Sequence, residues 1–520
     1  MKPLGSKNDM LLSDSKTKNT SRSILWGGIN KIAGILLPFA VRTEIIYFLG
    51  VEYTGLGSLF NSILTVLSLA ELGFGSALVF SMYKPVAEND VDKVNAYLNF
   101  YKKCYRVIGI VIFVVGVLAI PVLPHLINGY IPDNINIFVL YGLYLLNTVL
   151  SYCMFVYKIS IFVATQRNDI VSNISTAVLI ATNIIQVILL ALFRNYYAYV
   201  IVMPVMMVIN NIIISVTAKR IFPQIKAKGE IQKEEKDILY VKVKGLVFQQ
   251  IGSIILTSSD SIVISAFLGL TQLGIYNNYY YIINALFGFF DVIQAALYPT
   301  VGNSMQTEST EKNYENFRFF HFLYILCVIF CSSCMLSLFQ PFMKVWVGEG
   351  LMFDMPLVVC LVIFFYTYKM SDICSIYRYA TGMFEVWKLV PFIAGIFNLA
   401  LNLMLTHIIG VYGIVLSTVA TMVFVYLPFY CYPVIKNCFK SEKKFWIYIK
   451  TQLLYFVYAV IISSVVYFMM DLLVTESILG LIIKIVMTTA LTGILLLAMT
   501  FFSPYRSNSF IMIRRILLKR

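Results

Sequence analysis

The chain is 520 residues long, 59% hydrophobic and only 13% charged. Water-soluble proteins carry about a quarter charged residues, and their single cores stop growing at roughly 250–300 residues. The composition therefore excludes water as the solvent for most of the chain. A net charge of +14 would suit nucleic acid, but a membrane protein that keeps Lys and Arg in its cytoplasmic loops produces the same excess.

A membrane span needs about 20 predominantly apolar residues. In chain order, such stretches run over 24–47, 58–82, 106–124, 136–156, 170–192, 197–217 and 246–268. They continue over 276–298, 318–340, 355–377, 388–408, 412–433, 451–470 and 477–502. The expected fold class is an all-α integral membrane protein of about fourteen transmembrane helices. Segment 1–20 is polar and basic, too hydrophilic for the apolar core of a signal peptide.

With the N-terminus inside, nearly all of the 40 Lys and Arg fall in cytoplasmic segments. Arg194 and Lys344 lie outside, and Lys31, Arg42, Lys369 and Lys484 lie at membrane depth. Such a bias sets an even number of spans with both termini cytoplasmic, and it assigns the charge to the membrane rather than to nucleic acid. Lys484, isolated within its helix, is expected to snorkel toward the interface.

Phe48-Leu49-Gly50 followed by Gly55 recurs as Phe267-Leu268-Gly269 followed by Gly274, an offset of 219 residues. The same offset sets Asn30 and Lys31 against Gln249 and Gln250. Six helices separate the copies, so the repeat is parallel, about an axis along the membrane normal. The expected organisation is a basic tail (1–20), a six-helix N-lobe (21–218), a cytoplasmic linker loop (219–245), a six-helix C-lobe (246–434), two appended helices (435–503) and a second basic tail (504–520).

Ionisable groups at membrane depth face water-filled cavities or partners. Lys31, Pro38 and Arg42 share one face of the first helix, and Gln249, Ser253, Thr257 and Asp260 form a stripe on the seventh. Both stripes are expected to face a cavity, with a permanent Arg42–Asp260 strut as the competing reading. Glu71, midway down the second helix, serves either the cavity or a structural hydrogen bond. Asp372 has Lys369 three residues before it and could simply pair with it. Tyr276, Asn277 and Tyr280 suit sugar contacts by stacking and hydrogen bonding, although tyrosine is equally the residue of membrane interfaces.

No catalytic or metal set emerges. Cys327, Cys331 and Cys334 share a helix face without a fourth ligand and are read as packing. Asp90-Val91-Asp92 is a Lys-flanked loop pair, read as solvated surface. No phosphate-binding Gly-x-x-x-x-Gly-Lys-Ser/Thr loop occurs. The expectation is a protein that is not an enzyme and takes no cofactor.

Three stretches together resemble Wzx-type polysaccharide flippases. The first runs from Arg42 to Pro85, with Tyr47-Phe48-Leu49-Gly50, Leu67-Ser68-Leu69-Ala70-Glu71-Leu72-Gly73 and Tyr83-Lys84-Pro85. The second joins Ser259-Asp260-Ser261-Ile262-Val263-Ile264-Ser265 to Gly274-Ile275-Tyr276-Asn277-Asn278-Tyr279. The third joins Ala380-Thr381-Gly382-Met383-Phe384, Asn398 and Asn402 to Gly410-Val411-Tyr412-Gly413. That family belongs to the multidrug/oligosaccharidyl-lipid/polysaccharide (MOP) exporter superfamily. The resemblance implies two lobes around a central cavity and alternating access in a bacterial cytoplasmic membrane. It also implies export of an undecaprenyl-pyrophosphate-linked oligosaccharide for capsule, exopolysaccharide or O-antigen. Arg42, Glu71 and Asp260 lie within the matched stretches; Lys31 rests on helix geometry alone. Arg42 and Lys31 would bind the pyrophosphate, while Asp260 would bind the coupling H+ or Na+. Membrane lipid and a polysaccharide polymerase are the further partners implied. A peptidoglycan-precursor (lipid II) flippase and a cation-coupled multidrug exporter are the alternatives within the superfamily. A membrane glycosyltransferase or polymerase is disfavoured by the short external loops.

Overall fold

The computed structural model describes residues 16–71, 74–383, 389–473 and 477–503. Most of the N-terminal tail, the C-terminal tail and the motif residues Leu72, Gly73 and Phe384 lie outside the described residues. Every regular element among the described residues is helical, and eleven helical stretches are long and apolar enough to cross a bilayer. The chain divides into two compact units, Met1–Asn277 and Asn278–Arg520.

The first unit holds α1 (Lys16–Phe48), α2 (Val51–Leu67), α3 (Phe74–Ala87), α4 (Val91–Ala119), α5 (Ile137–Cys153), α6 (Ile159–Ala164), α7 (Asn168–Phe193), α8 (Tyr196–Ile221) and α9 (Lys233–Leu268). Helix α10 (Leu270–Thr307) begins in this unit and ends in the next. The second unit continues with α11 (Thr310–Val347), α12 (Met355–Lys369), α13 (Asp372–Thr381), α14 (Val390–Ile409), α15 (Val411–Thr421), α16 (Tyr432–Phe439), α17 (Glu442–Asp471) and α18 (Ile478–Phe501).

The apolar stretches read from sequence fall on helices, but the ends differ for identifiable reasons. Helix α9 begins at Lys233, inside the stretch read as linker loop, because Glu234 and Glu235 suit a helix's first turn. Its 36 residues span about 54 Å, well beyond the roughly 30 Å of hydrocarbon, so its charged end clears the lipid. Asp90 accepts a hydrogen bond from the Lys93 backbone N–H and caps α4, which gives this member of the loop acid pair a structural task. The stretch 58–82 is interrupted by a 3₁₀ turn at Ser68–Ala70. The stretch 412–433 passes through a π-helical segment, Met422–Cys431, containing Pro428, whose missing N–H disrupts the α ladder.

Within the first unit α1 runs along α7, α8 packs on both α5 and α7, and α2 packs on α9. Lipid offers no hydrophobic drive between helices, so polar groups and close backbone contacts hold them together. The repeated glycines supply the closest contact. Gly50 and Gly269 share one unusual backbone state, φ 120°, ψ 165° and φ 90°, ψ 173°, which only glycine adopts without strain. A Cβ on Gly55 would stand 2.4 Å from the Leu270 carbonyl oxygen, and one on Gly274 would stand 2.4 Å from the Val51 carbonyl oxygen. Leu270 follows Val51, and Gly274 follows Gly55, by the repeat offset, so the contact is reciprocal. Beside it Thr271 Oγ1 donates to Glu52 Oε1 at 2.9 Å across a separation of 219 residues.

In the second unit α17 and α18 pack on α11, and α12 and α14 pack on α15. Asn398 donates to Thr418 Oγ1 at 3.1 Å and accepts from Asn402 at 3.2 Å, which ties α14 to α15 inside the fold. Phe317, Tyr377, Phe439 and Tyr448 form an aromatic core around the opening turns of α11.

Candidate functional site

Arg42 sits near the C-terminal end of α1, and its Nη2 donates to the Gly274 carbonyl oxygen at 3.4 Å. The phenols of Tyr196 and Tyr199, on α8, lie within its electrostatic reach. Asp260, on α9, is buried at 8% exposure, and the Tyr276 hydroxyl donates to its Oδ2 at 3.2 Å. Gly274 and Tyr276 are two residues apart on α10, so the cation and the carboxylate converge on the opening turns of that helix. Along the stripe of α9, Ser253 and Thr257 are exposed while Asp260 is enclosed.

Lys31 does not join this cluster. It precedes Arg42 by eleven residues, about 16 Å along α1. Its neighbour Asn30 donates to Thr176 Oγ1 on α7 at 2.8 Å. Glu71 is also elsewhere. Its carboxylate accepts from Tyr105 through Oε1 and from Tyr152 through Oε2, the latter at 2.8 Å. The carboxylate thus bridges α4 and α5.

Of the residues considered for sugar contact, Tyr276 is buried with its hydroxyl directed to Asp260, and Asn277 donates to the Leu273 carbonyl oxygen at 3.0 Å. Tyr280, in the second unit, lies 6.3 Å from the Phe364 ring centroid.

The second unit holds its own buried charge pair. Asp372 Oδ2 receives hydrogen bonds from Lys369 at 2.9 Å, Gln294 at 2.9 Å and Tyr324 at 2.5 Å. The Lys369 ammonium stands 4.5 Å from the Phe287 ring centroid, a cation–π contact in a desolvated place. The pairing of Lys369 with Asp372 was legible from their spacing; Tyr324, Gln294 and Phe287 were not. Lys484 is buried and reaches back along α18 to the Leu473 carbonyl oxygen at 3.3 Å. No group of three His, Cys, Asp or Glu side chains able to hold a metal ion occurs among the described residues.

The tyrosines around Arg42 and Glu71 escaped the sequence reading. Their only signal was helical spacing, Tyr101 with Tyr105 and Tyr196 with Tyr199, which ordinary packing also produces.

Residues 18–305 match the family described as polysaccharide biosynthesis protein. No curated protein matches the chain. Among solved structures, the lipid II flippase MurJ in an inward closed conformation aligns with a TM-score of 0.64 at 16% identity, covering 93% of this chain and 99% of that one. An inward-facing multidrug resistance MATE family transporter of the MOP superfamily aligns with a TM-score of 0.58 at 13% identity, covering 81% and 99%. A MOP superfamily transporter from Pyrococcus furiosus, reported with a binding pocket of reversed polarity, aligns with a TM-score of 0.51 at 13% identity, covering 82% and 97%. Identities this low speak to fold, whereas the family match extends over more than half of the chain. The chain has the MOP transporter fold and belongs to the polysaccharide biosynthesis protein family.

Proposed function

We propose that the protein is a flippase that carries undecaprenyl-pyrophosphate-linked oligosaccharide units across the bacterial cytoplasmic membrane by alternating access, coupled to H+ or Na+. The observation that carries this reading is a guanidinium, Arg42, set in an apolar helix against the opening turns of α10, in a member of a polysaccharide biosynthesis family. A diphosphate bearing sugars cannot enter hydrocarbon unaided, and an arginine fork replaces its hydration with paired hydrogen bonds. The polyprenyl tail can remain in lipid throughout. Lys31 and Arg42 are about 16 Å apart along one helix, so a single diphosphate meets them as successive stations. Asp260 exchanges its partner for the coupling cation between two states, since a group bound equally in both shifts nothing.

The likeness to a lipid II flippase supports a second reading, in which the sugar unit is a peptidoglycan precursor. Both cargoes share the polyprenyl diphosphate, and they differ in the sugar. Translocation in proteoliposomes, given each lipid in turn, separates the two. In the same assay Arg42→Lys is expected to slow transport, because the fork is lost while the charge stays, and Arg42→Ala should slow it further. Full transport by Arg42→Ala at native expression would remove the diphosphate site. Asp260→Asn should lose its response to an imposed ion gradient. A charge exchange, Arg42→Asp with Asp260→Arg, separates coupling from a strut: only a strut survives it in part.

A further inference from the structure

We infer that a pocket at the polar end of the first unit binds the phosphate headgroup of an anionic membrane lipid. The cavity is about 440 Å³ and lies where α8 ends and the following loop folds back along α4. Lys158, Lys219, Lys226 and Lys228 line it together with Tyr157 and Phe222, and no carboxylate is among its lining residues. The nearby acids are engaged elsewhere, Glu230 with Lys103 at 3.0 Å and Glu235 with Lys93 at 2.7 Å.

This is a shaped site and not merely a basic loop. The Asn95 carboxamide, nearly buried on α4, accepts from the backbone N–H groups of Lys226 at 2.7 Å and Ala227 at 3.3 Å. The same side chain donates to the Gln224 carbonyl oxygen at 3.4 Å, and Asn99 donates to that of Gly229 at 2.8 Å. These bonds hold the backbone that carries Lys226 and Lys228 in one path, so both lysines start from fixed points on the pocket's rim. Opposite them, Lys158 donates to Ser215 Oγ at 2.7 Å. Burial, Lys219 and Lys102 hold its pKa below the usual lysine value. An anion seated there would relieve that mutual repulsion.

The apolar walls, Leu98, Ile161 and Phe222, distinguish a lipid from a free anion. Tyr157 contributes an amphipathic ring with the Lys102 ammonium 5.8 Å from its centroid. Basic pockets at the ends of membrane helices, with apolar surface beside them, suit a phosphodiester headgroup with its acyl chains in the bilayer.

The test is lipid retention by the full-length protein purified in mild detergent. Phosphatidylglycerol and phosphatidylcholine are supplied in turn and read by native mass spectrometry. Each lysine near a phosphate contributes about fivefold in affinity, so Lys219→Gln/Lys226→Gln/Lys228→Gln should weaken phosphatidylglycerol retention on the order of a hundredfold. Phosphatidylcholine retention should not change. Asn95→Ala keeps every charge but frees the loop, and should also weaken retention. The three lysines are exposed, so the triple variant should fold, and its melting curve checks this. Equal retention by the triple variant overturns the proposal. Unchanged retention by Asn95→Ala also overturns it, since a diffuse basic surface would then suffice. Displacement by millimolar inorganic phosphate, or retention of polyprenyl diphosphate in place of phosphatidylglycerol, likewise overturns it, pointing to a free anion or to a loading station for cargo.

Discussion

Asp372 and Glu71 are both carboxylates set within apolar stretches of the chain, yet their surroundings assign them different tests. Asp372 receives three donors and one of them is the Lys369 ammonium, enclosed with it. Truncating one partner of a buried pair leaves the other uncompensated and costs about 3–5 kcal/mol. Asp372→Ala should therefore lower the thermal midpoint in detergent sharply. The double variant Lys369→Met/Asp372→Leu should recover part of the loss, because no charge is stranded while Tyr324 and Gln294 still lack their acceptor. Glu71 receives two tyrosine hydroxyls. Removing the shared acceptor by Glu71→Ala should cost about 1–3 kcal/mol. Glu71→Gln keeps an acceptor oxygen: if Glu71 only braces α4 and α5, transport by this variant should continue, and its loss in a well-folded protein would place Glu71 in the cycle.

At the scale of helices, the glycine crossing is the most exposed to test. Gly55→Ala and Gly274→Ala each put a methyl group 2.4 Å from a backbone oxygen, and backbone cannot rotate away as a side chain can. Overpacking of this kind costs typically about 1–3 kcal/mol, and the two changes should be non-additive because they force the same pair of helices apart. Melting curves of the two single variants and the double variant measure it. The crossing also marks how far the sequence could be read. The existence of apolar helices was legible, because hydropathy is a local signal. What touches what was not: nothing in Gly55 names Leu270, and nothing in Glu71 names Tyr105 or Tyr152. Helix ends were misread wherever charged residues such as Lys233 to Lys236 continued a helix past the apolar stretch, since hydropathy reports lipid and not backbone state.

For the whole molecule, the distribution of Lys and Arg predicts an orientation. The loop carrying Lys226 and Lys228 should face the cytoplasm and residues 341–354 the outside. In a variant without its nine native cysteines, Lys228→Cys should resist an impermeant thiol reagent in intact cells and react after lysis. A cysteine placed at Glu349 should react in both. Labelling of Lys228→Cys from outside would invert the topology and, with it, the side from which cargo is loaded.

The reciprocal contact at Gly55 and Gly274 has a symmetry of its own. Position 51 of one copy meets position 55 of the other, and position 55 of the first meets position 51 of the second. In oligomers this is the pattern of an isologous interface between identical subunits. At this one crossing the chain reproduces that exchange with itself, so each side sets the spacing for the other. Relief of crowding on one side of the crossing therefore leaves the other side as tight as before, so glycine is required at 55 and at 274 alike.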